Sequence, residues 1–280
     1  MTFNAFWTQR AQLAAEERPV EIRRLDIPSP TAVYEELTFP SLDEVTVRAR
    51  YIHPVSGTPA PTVLMYHDDG RGVRGWHHMT RFLALGFGVV ALENRYAFLD
   101  ITAGWRRAPA GMAAAELYSD AVVTGYVARR LPSVDGEQLI TWGEGLGGGM
   151  AIAAAVLVPG VQKCAALNPL PADPAGAFAQ GCSAGPLAQI TDHFRQCDPT
   201  HAEEDAFFQA LSYLDCANFA ALLRCPLLLG TSGMDRASPA AAQRAVFDRA
   251  SCVKKQLFYP KYEHERINFF ENELLKFLHP

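Results

Sequence analysis

Short apolar runs bounded by glycine or proline recur along this chain, and longer segments with helical periodicity separate them. That pattern predicts βαβ units around a parallel sheet, because strands covered on both faces read as continuous apolar runs rather than alternating ones. The runs 62–66 ("TVLMY"), 88–92 ("GVVAL"), 139–142 ("LITW"), 163–167 ("KCAAL"), 226–230 ("PLLLG") and 255–259 ("KQLFY") are expected strands. Helices are expected over 76–85, 112–131 and 149–157, and the amphipathic "NFFENELLKFL" predicts a closing helix over Asn268–Leu278.

Two pieces fall outside that alternation. Residues 1–55 read as a helix followed by antiparallel strands, since "TAVYEELTFPSLDEVTVRARYIHP" alternates and is broken by a Pro-Ser turn. Residues 171–223 hold two or three helices between strands, too long for a plain crossover, and are expected to form a helical cap over the C-terminal edge of the sheet. With no internal repeat or low-complexity linker, residues 1–280 are expected to make one α/β domain, with 1–55 an N-terminal extension.

Composition narrows the function classes. Charged residues make up 20% and hydrophobic ones 49%, which sets disorder aside. The net charge of −5 without a long basic run argues against nucleic acid. The N-terminus has no uninterrupted apolar stretch of signal-peptide type, and nothing approaches the ~18 apolar residues of a membrane span, so a cytoplasmic protein without a membrane partner is expected. The six cysteines are scattered without CxxC pairs and read as reduced thiols rather than as a zinc site. No cofactor is expected.

The stretch "TWGEGLGGGM", 141–150, carries the chemical question. In an α/β sheet, a strand-turn-helix with small residues on either side of a central residue is the nucleophile elbow, G-x-S-x-G. The flanking positions approach closely, so Gly143 and Gly147 fix Gly145 as the centre; centring on Glu144 would force Trp142 and Leu146 into the turn. The alternative is a glycine-rich helix N-terminus of purely structural or phosphate-binding kind. No Lys-Ser/Thr pair follows as a phosphate loop requires, and a dinucleotide fingerprint belongs on an early strand. Downstream, "GMDRASP" places Asp235 after one strand and "FYPKYEHERINFF" places His264 after the last. An acid and then a histidine, behind the nucleophile position, is the α/β-hydrolase order.

These residues resemble the acetyl xylan esterase and cephalosporin-C deacetylase family of α/β-hydrolases. "FWTQRAQLA" looks like that family's N-terminal helix and "VRARYIHP" like its lead-in strand. "RFLALGFGVVALENR", "ELYSDAVV" and "VDGEQLITWGEGLGGGMAIAAAVL" look like its central half, and "LSYLDCANFAALLRCPLLLGTSGMDRASP" and "FYPKYEHE" are similar to its C-terminal segments. The resemblance implies an α/β-hydrolase fold, Asp235 and His264 as catalytic acid and base, acetylated saccharides or related small acetyl esters as the ligand class, and a possible homo-oligomer. Three departures stand against activity. Gly145 takes the place of the family's serine. His67-Asp68-Asp69-Gly70 replaces a His-Gly-Tyr turn whose tyrosine helps bind the oxyanion, and Arg95-Tyr96-Ala97-Phe98 replaces an Arg-Gly-Gln-Gly stretch.

The esterase mechanism needs an activated hydroxyl and donors aimed at the developing oxyanion. Of the oxyanion donors the Leu146 N–H remains, and ionised Asp68 and Asp69 would repel an oxyanion. Three readings stay open. The first is a pseudoenzyme or small-ligand-binding protein whose pocket is lined by His67, Asp68, Asp69, Glu144 and Leu146. The second is a hydrolase in which His264, oriented by Asp235, activates water, with His67 or Arg71 supplying charge. The third is a metal site built from His67, Asp68, Asp69 and Glu144. Each residue also has a plain structural role open to it: Asp68 capping the following turn, Glu144 pairing with a loop arginine, and the Asp235–His264 pair persisting as a buried hydrogen bond.

Overall fold

The computed structural model describes residues 1–278. Helix α1 (Phe3–Ala14) leads into β1 (Glu21–Arg24), β2 (Ala32–Pro40) and β3 (Thr46–Pro54), then β4 (Ala60–Tyr66), α2 (Thr80–Leu83), β5 (Gly88–Glu93) and α3 (Ala113–Ala128). Next come β6 (Val134–Glu144), α4 (Leu146–Leu157) and β7 (Val161–Leu167). Four helices follow: α5 (Pro174–Ala179), α6 (Gly185–Gln196), α7 (Glu204–Leu211) and α8 (Cys216–Ala220). The chain ends with β8 (Leu227–Ser232), α9 (Ala240–Arg249), β9 (Lys254–Tyr259) and α10 (Asn268–Leu278).

All nine strands join one sheet in the order β1-β2-β3-β5-β4-β6-β7-β8-β9. The first three pairs are antiparallel, β2–β3 as the alternating 32–54 segment predicts, and from β5 onward every pair is parallel. The parallel strands are apolar on both faces because helices cover both. Leu64, Val90 and Leu229 pack on the side of α1, α3, α4 and α9, while Val63, Val89 and Leu228 pack on the side of α2 and α10. The N-terminal extension is fastened to the 171–223 segment by Trp7, whose indole N–H donates to the Tyr213 carbonyl at 2.8 Å.

Three expectations change in detail. The helix expected over 76–85 breaks into a 3₁₀ turn at Trp76–His78 and the single turn α2, because the Thr80 hydroxyl bonds back to the His77 carbonyl and competes with a continuous helix. The 171–223 segment contains four helices rather than two or three, punctuated by the Pro174 and Gly185-Pro186 starts. Helix α4 begins at Leu146, three residues earlier than expected, and runs through Gly147-Gly148-Gly149. Glycine is a poor helix former, but a Cβ on Gly147 would overlap the Tyr66 and His67 carbonyls and one on Gly149 the Leu170 carbonyl. Close packing of α4 on the sheet overrides propensity there.

Candidate active site

The C-terminal ends of β4, β6, β8 and β9 bring four loops together, the usual place for a site in a parallel sheet. The elbow has the register that its glycines predict. A Cβ on Gly143 would fall on the Gly147 carbonyl, and Gly145 sits between them at φ +54°, ψ −123°, conformation costly for a residue with a side chain. Its carbonyl accepts from Gly148 and Leu170 N–H groups, so the turn is fixed on both sides.

The space a serine side chain would occupy is already filled. A Cβ built on Gly145 would sink into the Asp68 carboxylate, deep inside van der Waals distance of Oδ1. Asp68 Oδ1 accepts from the Leu146 N–H at 3.0 Å and from the Asp69 N–H at 2.8 Å. Its Oδ2 lies 3.0 Å from His264 Nε2, and His264 Nδ1 lies 2.7 Å from Asp235 Oδ2. One imidazole therefore bridges two carboxylates. Burial alone would lower its proton affinity, but Asp235 and Asp68 outweigh burial and hold the pKa at about 10. At neutral pH the ring is an imidazolium with both N–H groups donating. Burial pushes Asp68 up, yet the His264 ion pair and the two main-chain donors leave it below the ordinary carboxylate range.

Asp235 and His264 stand as the sequence places them. Asp235 Oδ1 accepts from the Ala237 and Ser238 N–H groups, both at 2.8 Å, and Gln243 Nε2 lies 3.3 Å from Oδ2. Gln243, reached from α9, and Asn168, on the loop after β7, are contributors that no spacing rule in the sequence marks. Asn168 Oδ1 accepts from the Ser232 N–H and holds the β7 and β8 loops together. Arg71 donates to the His264 carbonyl at 3.2 Å, with Nε 3.6 Å from Asp68 Oδ2, and so clamps the plugged turn from outside.

The other expected pocket residues take separate partners, although Glu144 still lines the cavity beside His264. His67 accepts from the Asn94 N–H through Nε2 at 3.1 Å, and its Nδ1 lies 3.0 Å from the Asp68 carbonyl. It is a main-chain latch held neutral by burial, which lowers its pKa. Asp69 turns away to accept from the Leu99 N–H at 2.7 Å, and burial raises its pKa. Glu144 pairs with Arg74, which also reaches Glu271, beneath the elbow. Burial raises Glu144 against the pull of that guanidinium. The metal reading is thereby corrected: among the described residues no three His, Cys, Asp or Glu side chains converge as cation ligands, because His67 and Asp69 bond to main-chain N–H groups and Glu144 turns to Arg74.

The cavity beside His264, lined by Asp68, Arg71, Gly145 and Asn168 among others, leaves ≈ 10 Å³ for water centres, about one water molecule. Among the described residues no helix is long and apolar enough to cross a membrane.

Comparison with known proteins bears on family and fold. The family model described as acetyl xylan esterase matches residues 1–280. The structure is similar to acetyl xylan esterase 1 from Thermoanaerobacterium sp., with TM-score 0.93 and 23% identity over 99% of this chain and 92% of that one. It is also similar to acetyl xylan esterase from Paenibacillus sp. R4, with TM-score 0.89 and 21% identity over 99% and 93%. A more distant likeness is acylaminoacyl peptidase from Pyrococcus horikoshii, with TM-score 0.62 and 17% identity over 89% of this chain and 44% of that one.

Proposed function

Because this chain has the α/β-hydrolase fold and belongs to the acetyl xylan esterase family, we propose that it is a disarmed member, a pseudoenzyme in which Asp68 fills the place of the missing nucleophile. The observation that carries this reading is the single carboxylate bonded at once to the Leu146 N–H and to His264 Nε2. In serine-type ester cleavage a neutral imidazole takes the proton of a hydroxyl at the elbow, and main-chain donors beside it receive the oxyanion. Here no hydroxyl stands at Gly145, the imidazole is already protonated, and the donor is already bonded to a negative oxygen.

Magnitudes favour silence over weak turnover. Loss of a triad nucleophile costs on the order of 10⁴ to 10⁶ in rate, and what survives elsewhere comes largely from a free oxyanion hole. Asp68 removes that residue as well, since a substrate carbonyl would have to displace a buried ion pair to reach Leu146. Hydrolysis by water activated at His264 requires a neutral ring with a free Nε2, and Nε2 is bonded to Asp68. An acetylated sugar, the ligand class implied by the family, has no room beside the imidazole while the space there holds about one water. A ligand at this mouth would bind only after the 67–71 turn withdraws.

The test is acetate release from an aryl acetate and from an acetylated xylo-oligosaccharide, comparing the native protein with His264→Ala. Equal, background-level rates are expected. Turnover by the native protein that disappears in His264→Ala would sink the reading and establish a serine-free mechanism.

A further inference from the structure

Apart from the plugged site, a pair of thiols stands at the opposite end of the two strands that carry the acid and the base. Strands β8 and β9 run parallel with Leu227 opposite Lys254, and the Leu227 N–H donates to the Val253 carbonyl at 2.9 Å. Cys225 and Cys252 each lie two residues before that paired start, in the bends that lead into β8 and β9, and close enough that Cys252 acts electrostatically on the Cys225 thiol. Adjacent strands start about 4.8 Å apart, so two residues leading into paired strand starts can come within the ~4.4–6.8 Å Cα separation that a disulfide spans. Both side chains pack against the same apolar cluster, hence on one face of the sheet, and both thiols are free and partly exposed.

We infer that Cys225 and Cys252 form a dithiol that closes into a disulfide when the protein meets a small-molecule disulfide oxidant. The other cysteines lack one or another requirement. Cys164 and Cys216 are fully buried, the Cys182 thiol donates to the Arg236 carbonyl at 3.1 Å, and Cys197 stands exposed at the end of α6.

The step balances as two thiol–disulfide exchanges. Cys252, the less enclosed of the two, attacks one sulfur of RSSR as its thiolate; that S–S bond breaks and RS⁻ leaves, taking up the proton as RSH. Cys225 then attacks the Cys252 sulfur of the mixed disulfide and expels the second RSH. Two protein thiols are oxidised and one RSSR is reduced to two RSH. Burial pushes the Cys225 thiol up to about 11 and raises Cys252 as well, which makes the exchange slow and suits a latch rather than a fast sensor. The link would tie the starts of β8 and β9, whose far ends lead to Asp235 and His264.

The full-length protein is incubated for hours with oxidised glutathione in mildly alkaline buffer, alkylated and digested with trypsin. The expected result is peptide 225–236 joined to peptide 250–254, with the intact mass reduced by two hydrogens. Cys225→Ser and Cys252→Ser should each abolish that product. Oxidation that stops at glutathione adducts, or an intramolecular link between any other pair, would overturn the inference.

Discussion

The two halves of the candidate site have fared differently. The half built on the β8 and β9 loops keeps an oriented acid and imidazole, with Asp235 organised by two main-chain donors and Gln243. The half built on the β4 turn and the elbow has a glycine at the elbow centre and a buried carboxylate bonded to the Leu146 N–H. The difference teaches that the Asp235–His264 pair has a structural task of its own. Asp235 ties down the start of the α9 segment, and His264 cross-links three loops, so losing His264 leaves two buried carboxylates without their shared cation.

The largest expected effect comes from rebuilding the altered half. Asp68→Gly combined with Gly145→Ser removes the plug and supplies a hydroxyl. Restoring a nucleophile regains on the order of 10⁴ or more, while an oxyanion hole with one donor fewer forfeits about 10² to 10³. A gain of at least tenfold over the native protein, abolished by adding His264→Ala, is therefore expected in acetyl ester turnover. Gly145→Ser alone is expected to gain nothing, because its Cβ would have to displace Asp68.

Smaller effects sharpen the same contrast through stability. Asp235→Asn weakens a charged hydrogen bond to His264 and should cost roughly 1.5 to 3 kcal/mol in chemical denaturation. Gly145→Ser should cost about 1 to 3 kcal/mol from overpacking against Asp68, and a neutral effect would mean that the turn yields easily. The pH dependence is expected to be the mildest. His264 binds its proton more tightly folded, at about 10, than its ordinary 6.5. Its stabilisation is thus complete below the unfolded value and is lost as pH rises toward 10. The native melting midpoint should fall over that window by more than that of His264→Gln; parallel curves would show that the imidazolium is not held as described.

Much of the fold was legible because apolar runs and helical periods are local. The closing helix has the expected bounds, and the strands vary from expectation mainly at their ends. The weak points were the 76–85 helix, broken by a side-chain bond, and the start of α4, where contact with the sheet decided against glycine's propensity.

For the site, the sequence by itself determined the elbow register, the glycine at its centre, Gly145, and the two loops that carry Asp235 and His264. Steric spacing and chain order suffice for those. Only the tertiary structure decided that Asp68, 77 positions before the elbow centre, enters that centre while its neighbour Asp69 turns away to Leu99. Two adjacent aspartates look alike in a sequence. Their roles separate only when folding brings a main-chain donor and an imidazole to one carboxylate and a different loop to the other.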